Sequence, residues 1–89
     1  MPRIKKEIII KNAQGLHARP AAMLVQITSK YNSNVIIHKD EEKVNGKSIM
    51  GILTLGAQHG CKIVLEIDGD DAQQVADELE GLLSQEEIH

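Results

Sequence analysis

The sequence predicts one α+β domain, an open-faced β-sandwich in which a four-stranded sheet carries three helices on one face in the order β-α-β-β-α-β-α. Three observations support this prediction. The chain has 89 residues, which are too few for two hydrophobic cores, so residues 1–89 are expected to form a single domain. Apolar residues alternate with polar ones in some segments and recur at helical spacing in others. In so short a chain, three helices can cover only one face of the sheet, which can be antiparallel or mixed.

The first half of the chain predicts a strand, a helix and a pair of strands. Partial alternation favours a strand at residues 4–11, and the turn Asn12-Ala13-Gln14-Gly15 follows it. Residues 18–31 favour a helix whose buried stripe holds Ala21, Leu24, Val25 and Thr28. Two strands are then expected, at residues 35–39 and 43–45, with the turn between them at residues 40–42.

The second half of the chain predicts a short helix, a strand and a longer helix. Residues 48–55 are read as a helix with Ser48 at its N-cap, although Gly51 weakens this reading by about 1 kcal/mol. Strict alternation at residues 62–67 predicts a strand. Apolar residues then recur at helical spacing over residues 72–83. The tail, residues 84–89, is expected to fray.

Composition excludes several classes of function. The formal charge of −3, the absence of Trp and Phe and the single Tyr leave neither a basic surface nor stacking aromatics for nucleic acid. The N-terminal apolar run of three residues is too short for a signal peptide or a membrane span, so we expect a cytoplasmic protein. Cys61 is the single cysteine, which excludes an internal disulfide; it is expected to be a small buried hydrophobic residue.

The stretch Gly15-Leu16-His17-Ala18-Arg19-Pro20-Ala21-Ala22 carries the chemistry. Pro20 suits the first turn of a helix, because its missing N–H would have no helical partner there. The helix should therefore start at Ala18, with His17 at its N-cap, a position for which histidine is poorly suited. Unpaired amides at the helix start would favour an anion, and the Arg19 guanidinium could hold phosphate oxygens. On spacing alone, a surface histidine and a solvated arginine remain the alternative.

Residues 48–55 allow two readings as well. Ser48 can be an ordinary N-cap, or it can be a phosphorylation switch that adds a charge of about −2 beside apolar residues. Ile49, Met50 and Leu53 can be covered core residues, or they can form an exposed docking surface. The remaining histidines show no metal-ligand spacing with His17 or Cys61, and no cofactor motif is present, so neither a metal nor a cofactor is expected.

Two stretches resemble one family. The stretch from Gly15 to Ala22 resembles the active-site motif of HPr, the histidine-containing phosphocarrier of the bacterial phosphoenolpyruvate-dependent sugar phosphotransferase system. The stretch Lys47-Ser48-Ile49-Met50-Gly51-Ile52-Leu53-Thr54-Leu55-Gly56 resembles the regulatory-serine motif of that family. The resemblance is collinear over residues 4–83. It implies the same open-faced sandwich.

The resemblance also implies roles for individual residues. His17 would accept a phosphoryl group on Nδ1 from Enzyme I and pass it to a histidine of an IIA domain, while Arg19 would stabilise the group in transfer. Ser48 would be the residue that HPr kinase/phosphorylase modifies in many Gram-positive bacteria. Partners would dock on a surface that comprises Ala18, Arg19, Pro20, Ala22, Ile49, Met50 and Leu53, with Pro20 also setting the helix start. A monomeric carrier of low affinity is expected, rather than an enzyme acting on a small substrate.

Two further readings stay open. An HPr-like protein of a regulatory branch, such as the nitrogen-related system, would relay phosphoryl groups without transporting sugar. A regulatory domain that binds a small molecule non-covalently would carry no phosphoryl group on His17. Which sugar or IIA domain is served does not follow from the sequence.

Overall fold

The computed structural model describes residues 2–87. Its elements are β1 (Arg3–Ile9), α1 (Ala18–Ser29), β2 (Asn34–Lys39), β3 (Glu42–Asn45), α2 (Ile49–Thr54), β4 (Lys62–Asp68) and α3 (Ala72–Leu83). The predicted order β-α-β-β-α-β-α is confirmed, as is the open-faced sandwich. None of the helices within this range is long and apolar enough to cross a bilayer.

The four strands form one sheet in the order β1-β4-β2-β3, and every neighbouring pair is antiparallel. The sequence alone allows either an antiparallel or a mixed sheet. Ile8 pairs with Ile63, and Leu65 pairs with Ile37; all four side chains are buried. Because side chains alternate along a strand, these residues mark the face that the helices cover.

The core between the sheet and the helices is aliphatic, as the composition predicts. From α1 it receives Ala21 and Leu24, and from α3 it receives Val75 and Leu79, all of them inaccessible to solvent. Burying a side chain such as Leu79 stabilises the fold by roughly 2 kcal/mol. Helix α1 packs against both α2 and α3, so it is held in place from two sides.

Several element boundaries differ from the predictions by one or two residues. Strand β1 runs from Arg3 to Ile9, so it starts one residue earlier and ends two residues earlier than predicted. Ile10 still exchanges backbone hydrogen bonds with Cys61 and Gly60, both 2.9 Å, as the chain bends away. Strand β3 starts one residue early, because Glu42 pairs with Lys39.

Helix α1 ends at Ser29, not at residue 31 as predicted. The amides of Lys30 and Tyr31 donate to the carbonyls three residues earlier, at 3.1 and 3.2 Å. Such bonds tighten the last turn and end an α-helix. The prediction that Cys61 is buried is also wrong, because this residue is half-buried just before β4.

The carboxyl end of α1 is tied to α3 by a cluster of polar side chains. The Lys30 ammonium lies 2.8 Å from the Glu78 carboxylate, to which the Tyr31 hydroxyl also donates. The Ser33 hydroxyl donates to Asp71. These hydrogen bonds hold the pKa values of Glu78 and Asp71 below their ordinary range.

The chain turns back after α3 and lies against the loop that follows β1. The amide of Lys11 donates to the Leu83 carbonyl at 3.4 Å, and the amide of Ala13 donates to the Glu86 carbonyl at 3.3 Å. The predicted frayed tail comprised residues 84–89, of which 88 and 89 lie outside the described residues. The described part, residues 84–87, is thus placed beside the start of α1.

Candidate functional site

The loop between β1 and α1 is held in one conformation from both sides. The Asn12 side chain is buried; its amide donates to the Gly15 carbonyl at 3.4 Å and its oxygen accepts from the Gln14 amide at 3.1 Å. Gly15 has a φ of +73°, which favours glycine. The amide of the buried Leu16 donates to the Ala57 carbonyl at 2.8 Å. The loop therefore delivers the next residue, His17, to a fixed place.

His17 occupies the N-cap of α1, as predicted, in an extended conformation. Its carbonyl accepts the first helical hydrogen bond from the Ala21 amide, at 3.0 Å. Its ring makes no capping hydrogen bond. The ring is half-buried and has no side-chain hydrogen bond or ion pair with the residues at 2–87. The His17 side chain therefore does not cap the helix, and its ring nitrogens have no hydrogen-bond partner within residues 2–87.

The two residues that follow His17 carry polar donors without a partner in the described part of the chain. The amides of Ala18 and Arg19 have no hydrogen-bond partner in the described part of the chain, and Pro20 has no N–H. The exposed Arg19 side chain likewise makes no ion pair with residues 2–87. Unpaired amides at a helix start and a guanidinium both attract phosphate-like anions. A phosphoryl group on His17 would meet donors that are already in place.

An open groove of about 610 Å³ adjoins this ring. One wall is the loop and the start of α1, and the other is the segment that follows α3. Its lining residues are Asn12, Ala13, Gln14, His17, Ala18, Arg19, Glu86 and Glu87. The groove is too open to enclose a small molecule, and it leaves room for a protein partner to reach the ring.

Apolar side chains of α2 are exposed on the same layer of helices. Met50 is 71% exposed and Ile49 40%, whereas Ile52 is fully buried. Helix α2 therefore turns one face to the core and another to solvent. Helix α2 packs against α1 within this layer. A flat apolar surface beside a charged site suits transient docking.

Two of the predicted docking residues are less accessible than the sequence suggested. Pro20 is buried in the first turn of α1, so its ring is not part of the exposed surface. Leu53 is half-buried and packs partly against the core, so it contributes only an edge to the surface. Ala22 is half-buried, and Ala18 and Arg19 are exposed.

Ser48 caps α2, as the sequence predicts. Its hydroxyl oxygen accepts a hydrogen bond from the Gly51 amide at 3.0 Å. The preceding Lys47 is turned away, with its ammonium donating to the Tyr31 carbonyl at 2.8 Å. The half-buried Ser48 hydroxyl lies one residue from Ile49, so a charge placed on it would border the apolar surface of α2.

The other titratable groups do not join this site. His38 lies 3.1 Å from Glu66 on the open face of the sheet, and His59 is exposed in the loop before β4. His89 lies outside the described residues. Within residues 2–87, no three His, Cys, Asp or Glu side chains form a group that could hold a metal ion.

Two features of the site were missed at the level of sequence. Asn12 was read only as a turn residue, although an Asn that bonds its own backbone two residues on is a known turn device that could have identified it. Glu86 and Glu87 were assigned to a frayed tail, and no sequence signal places them beside His17.

Comparison with known proteins gives consistent matches. Residues 4–85 match the family model described as the PTS HPr component phosphorylation site. The HPr-like protein Crh of Halalkalibacterium halodurans is 39% identical over 83 residues, or 93% of this chain and 99% of that protein. The phosphocarrier protein HPr of Xylella fastidiosa is 44% identical over 79 residues, or 85% of this chain and 89% of that protein. A crystal structure of HPr from Thermoanaerobacter tengcongensis has a TM-score of 0.88 at 44% identity and covers 96% of this chain and 99% of its own.

Proposed function

Since this chain belongs to the HPr family of phosphocarriers, we propose that His17 accepts a phosphoryl group from Enzyme I and donates it to IIA domains of sugar permeases. One observation carries the proposal. The His17 ring lacks any hydrogen bond or ion pair to residues 2–87, and it shares a groove with Ala18 and Arg19, whose amides and guanidinium have no partner within those residues. Sugar uptake through the cytoplasmic phosphotransferase relay is the resulting role.

The transfer moves a PO₃⁻ unit between two imidazoles. The bond from phosphorus to the donor ring breaks as a bond forms to a nitrogen of His17, Nδ1 by family resemblance. The donor ring, which carries a proton on its other nitrogen, keeps the electron pair of the broken bond and leaves as neutral imidazole. The His17 ring keeps its proton on the other nitrogen. Charge develops on the phosphoryl oxygens, where the Ala18 and Arg19 amides and the guanidinium stabilise it.

Partners would dock on the surface formed by Ala18, Arg19, Ile49 and Met50. A carrier must release each partner, so an interface below about 1,200 Å² in total suits it. Because one copy of the chain contains every element of the site, we propose a monomer as the acting form. HPr kinase/phosphorylase would be a further partner through Ser48.

The deciding experiment supplies the chain with Enzyme I and labelled phosphoenolpyruvate. We expect one acid-labile phosphate per chain, none in His17→Ala and an unchanged amount in His59→Ala. His59 is an exposed histidine outside the groove, so its replacement controls for the loss of an imidazole. Label that persists in His17→Ala would disprove the proposal.

The regulatory alternative has a specific basis, because two relatives named HPr-like protein Crh match over 93% of this chain. In a regulatory role the chain would relay phosphoryl groups without supplying sugar permeases. A panel of IIA domains separates the two roles, since transfer to at least one sugar-specific domain supports transport. Failure with every sugar IIA domain, after normal labelling of His17, would favour regulation.

A charge on Ser48 should weaken acceptance from Enzyme I. We expect Ser48→Asp to lower the transfer rate by about tenfold or more, because a carboxylate would border the apolar docking surface. Ser48→Asn is the matched control, since Asp and Asn cap helices equally well and differ in charge. Initial rates of labelling measure the effect. Equal rates for the two variants would refute the switch.

A further inference from the structure

The turn between β3 and α2 carries the one Asn-Gly dipeptide of the chain. Asn45 is the exposed last residue of β3 and precedes Gly46, whereas Asn12, Asn32 and Asn34 precede Ala, Ser and Val. A glycine that follows an asparagine leaves its own amide nitrogen unshielded, because it has no Cβ to hinder the approach of the asparagine carboxamide. The backbone amide can then attack the side chain that precedes it.

The carboxamide of Asn45 is already polarised for such an attack. The Lys47 amide donates to Oδ1 of Asn45 at 2.9 Å. When a nitrogen attacks the carboxamide carbon, negative charge develops on this oxygen, and a donor that is already in place stabilises that charge. The local geometry therefore favours the attack on the side of the asparagine.

The attacking nitrogen, in contrast, is held by the fold. The Gly46 amide donates to the Val35 carbonyl at 2.7 Å, and the buried Thr28 hydroxyl donates to the Gly46 carbonyl at 2.8 Å. An added Cβ at Gly46 would lie 2.5 Å from the Val35 side chain, so the packing of this turn requires glycine. The attack therefore needs a local opening that breaks the bond to Val35 and frees the nitrogen.

Independently of the proposed function, we propose that Asn45 is a site of spontaneous deamidation whose rate is set by local opening of the turn at Gly46. The Gly46 nitrogen gives its proton to hydroxide and forms a bond to the Asn45 carboxamide carbon. The carbon–nitrogen bond of the carboxamide breaks, and the leaving nitrogen takes a proton from water and departs as ammonia. Water then opens the cyclic imide at either carbonyl and leaves aspartate or isoaspartate.

The isoaspartate product changes the approach of the chain to Ser48. The Asn45 main-chain carbonyl, which accepts from the Ser48 amide at 3.1 Å, becomes a free carboxylate, and the chain then runs through the former side chain. One carbon is thereby added to the main chain between β3 and α2. Deamidation at Asn45 is thus a covalent change that displaces the residue capping α2.

The first test follows the full chain at mildly alkaline pH by peptide mass spectrometry. We expect Asn45 to convert faster than Asn32 and Asn34, which are also exposed, and more slowly in the folded chain than in urea. The converted peptide should accept a methyl group from an L-isoaspartyl methyltransferase. Conversion of Asn45 no faster than that of Asn32 or Asn34, or equal rates in the folded and unfolded chains, would overturn the proposal. A converted peptide that accepts no methyl group would overturn the effect on Ser48.

Thr28→Val tests the role of local opening. It keeps the shape of the buried side chain and removes its hydrogen bond to the Gly46 carbonyl, so we expect conversion at Asn45 to be about threefold faster or more. Thr54→Val is the matched control, because the Thr54 hydroxyl also donates to a backbone carbonyl, that of Gly51, at 2.6 Å. It should leave the rate at Asn45 nearly unchanged.

Val75→Ala controls for a general loss of stability, since this side chain is buried in α3. The two destabilised variants are compared at urea concentrations that give them equal free energies of unfolding. Faster conversion in Thr28→Val supports opening at the turn, and equal conversion in both would overturn it. Hydrogen exchange of the Gly46 amide is the second readout, because exchange also needs the bond to Val35 broken. Faster exchange in Thr28→Val without faster conversion would also contradict the proposal.

Discussion

At the scale of single residues, His17 occupies the N-cap of α1, but its side chain makes no capping hydrogen bond. Ser48 caps α2 with its own oxygen at 3.0 Å, and His17 starts α1 with no such bond. Helix α1 thereby lacks a stabilising interaction worth about 1 kcal/mol. Because the His17 side chain does not cap the helix, the amides of Ala18 and Arg19 have no partner within the described residues. The same two amides can therefore bind an anion.

Among the described residues that line the groove, Arg19 is the one that carries a basic guanidinium or ammonium group. We expect Arg19→Ala to slow labelling by Enzyme I by about 10- to 100-fold, because a positioned donor to the developing charge is lost. Arg19→Lys should give an intermediate rate, since it keeps the charge but loses the paired hydrogen bonds of guanidinium. Rapid-quench measurement of the initial rates tests this. A wild-type rate in Arg19→Ala would exclude a role for this side chain in transfer.

At the scale of elements, the loop between β1 and α1 determines where His17 lies. Its tightest point is Gly15, where an added Cβ would meet the Ala57 carbonyl oxygen at 2.6 Å and the Gln58 backbone at 2.8 Å. Because the neighbouring atoms belong to the backbone, they can yield only if the loop moves. The structure of the loop is thus tied to the segment that precedes β4.

Gly15→Ala should therefore both destabilise the protein and slow the transfer. We expect a loss of about 1 to 3 kcal/mol in the free energy of unfolding, from a positive φ and from the clash. Gly60→Ala is the matched control, because Gly60 also has a positive φ, +83°, but nothing lies within 4 Å of its added Cβ. Urea unfolding and labelling rates measure both effects. Equal losses in the two variants would show that the clash is absent.

The elements and the site differed in how far the sequence could predict them. Regular spacing at residues 62–67 and 72–83 predicted a strand and a helix, because burial imposes a period on each. The place of His17 followed from Pro20, whose ring is compatible only with the first turn. Element ends were less predictable. Helix α1 ends at Ser29 because the amides of Lys30 and Tyr31 form local backbone hydrogen bonds. The identities of these two residues give no sequence signal for such bonds.

Tertiary placement was the part that sequence could not supply. The exposure of Pro20 and Leu53 depends on how α1 and α2 pack, and a residue pattern does not fix that packing. The position of Glu86 beside the loop depends on a backbone bond to Ala13, which any residue could make. Such bonds leave no trace in side-chain identity.

At the scale of the whole molecule, the site and the polar cluster of Lys30, Tyr31, Ser33, Asp71 and Glu78 lie at opposite ends of α1. The cluster joins the carboxyl end of α1 to α3. It therefore fixes the position of these two helices relative to each other. The hydrogen bond between the Lys30 ammonium and the Glu78 carboxylate is the main cause that lowers the pKa of Glu78 and raises the pKa of Lys30. The stability of the fold should therefore depend on pH through this cluster.

We expect acid to weaken this contribution. The pKa of Glu78 is lower in the folded chain, chiefly because the carboxylate accepts hydrogen bonds from Lys30 and Tyr31, so its stabilising effect is present near neutral pH. The effect is lost as the pH falls from about 4.5 through the folded pKa. Glu78→Gln should thus be less stable than the wild type at pH 7, and the difference should narrow at pH 3. Urea midpoints at both pH values measure this.

Glu41→Gln serves as the control for the acid prediction. Glu41 is exposed in the turn between β2 and β3 and belongs to no hydrogen bond or ion pair within residues 2–87. Its replacement should leave the urea midpoint nearly unchanged at pH 7. If the difference in urea midpoint between Glu78→Gln and the wild type stays constant from pH 7 to pH 3, the stabilisation does not come from the charged Glu78 carboxylate.

The bond from Tyr31 to Glu78 has an optical consequence. The chain contains one Tyr and no Trp or Phe, so near-ultraviolet dichroism and intrinsic fluorescence arise from a single ring. That ring sits where α1 meets α3, and its hydroxyl donates to a carboxylate. A 280 nm melting curve will therefore record the parting of these two helices, while far-ultraviolet dichroism records the loss of backbone order. Where the two curves separate, a partly opened species is populated.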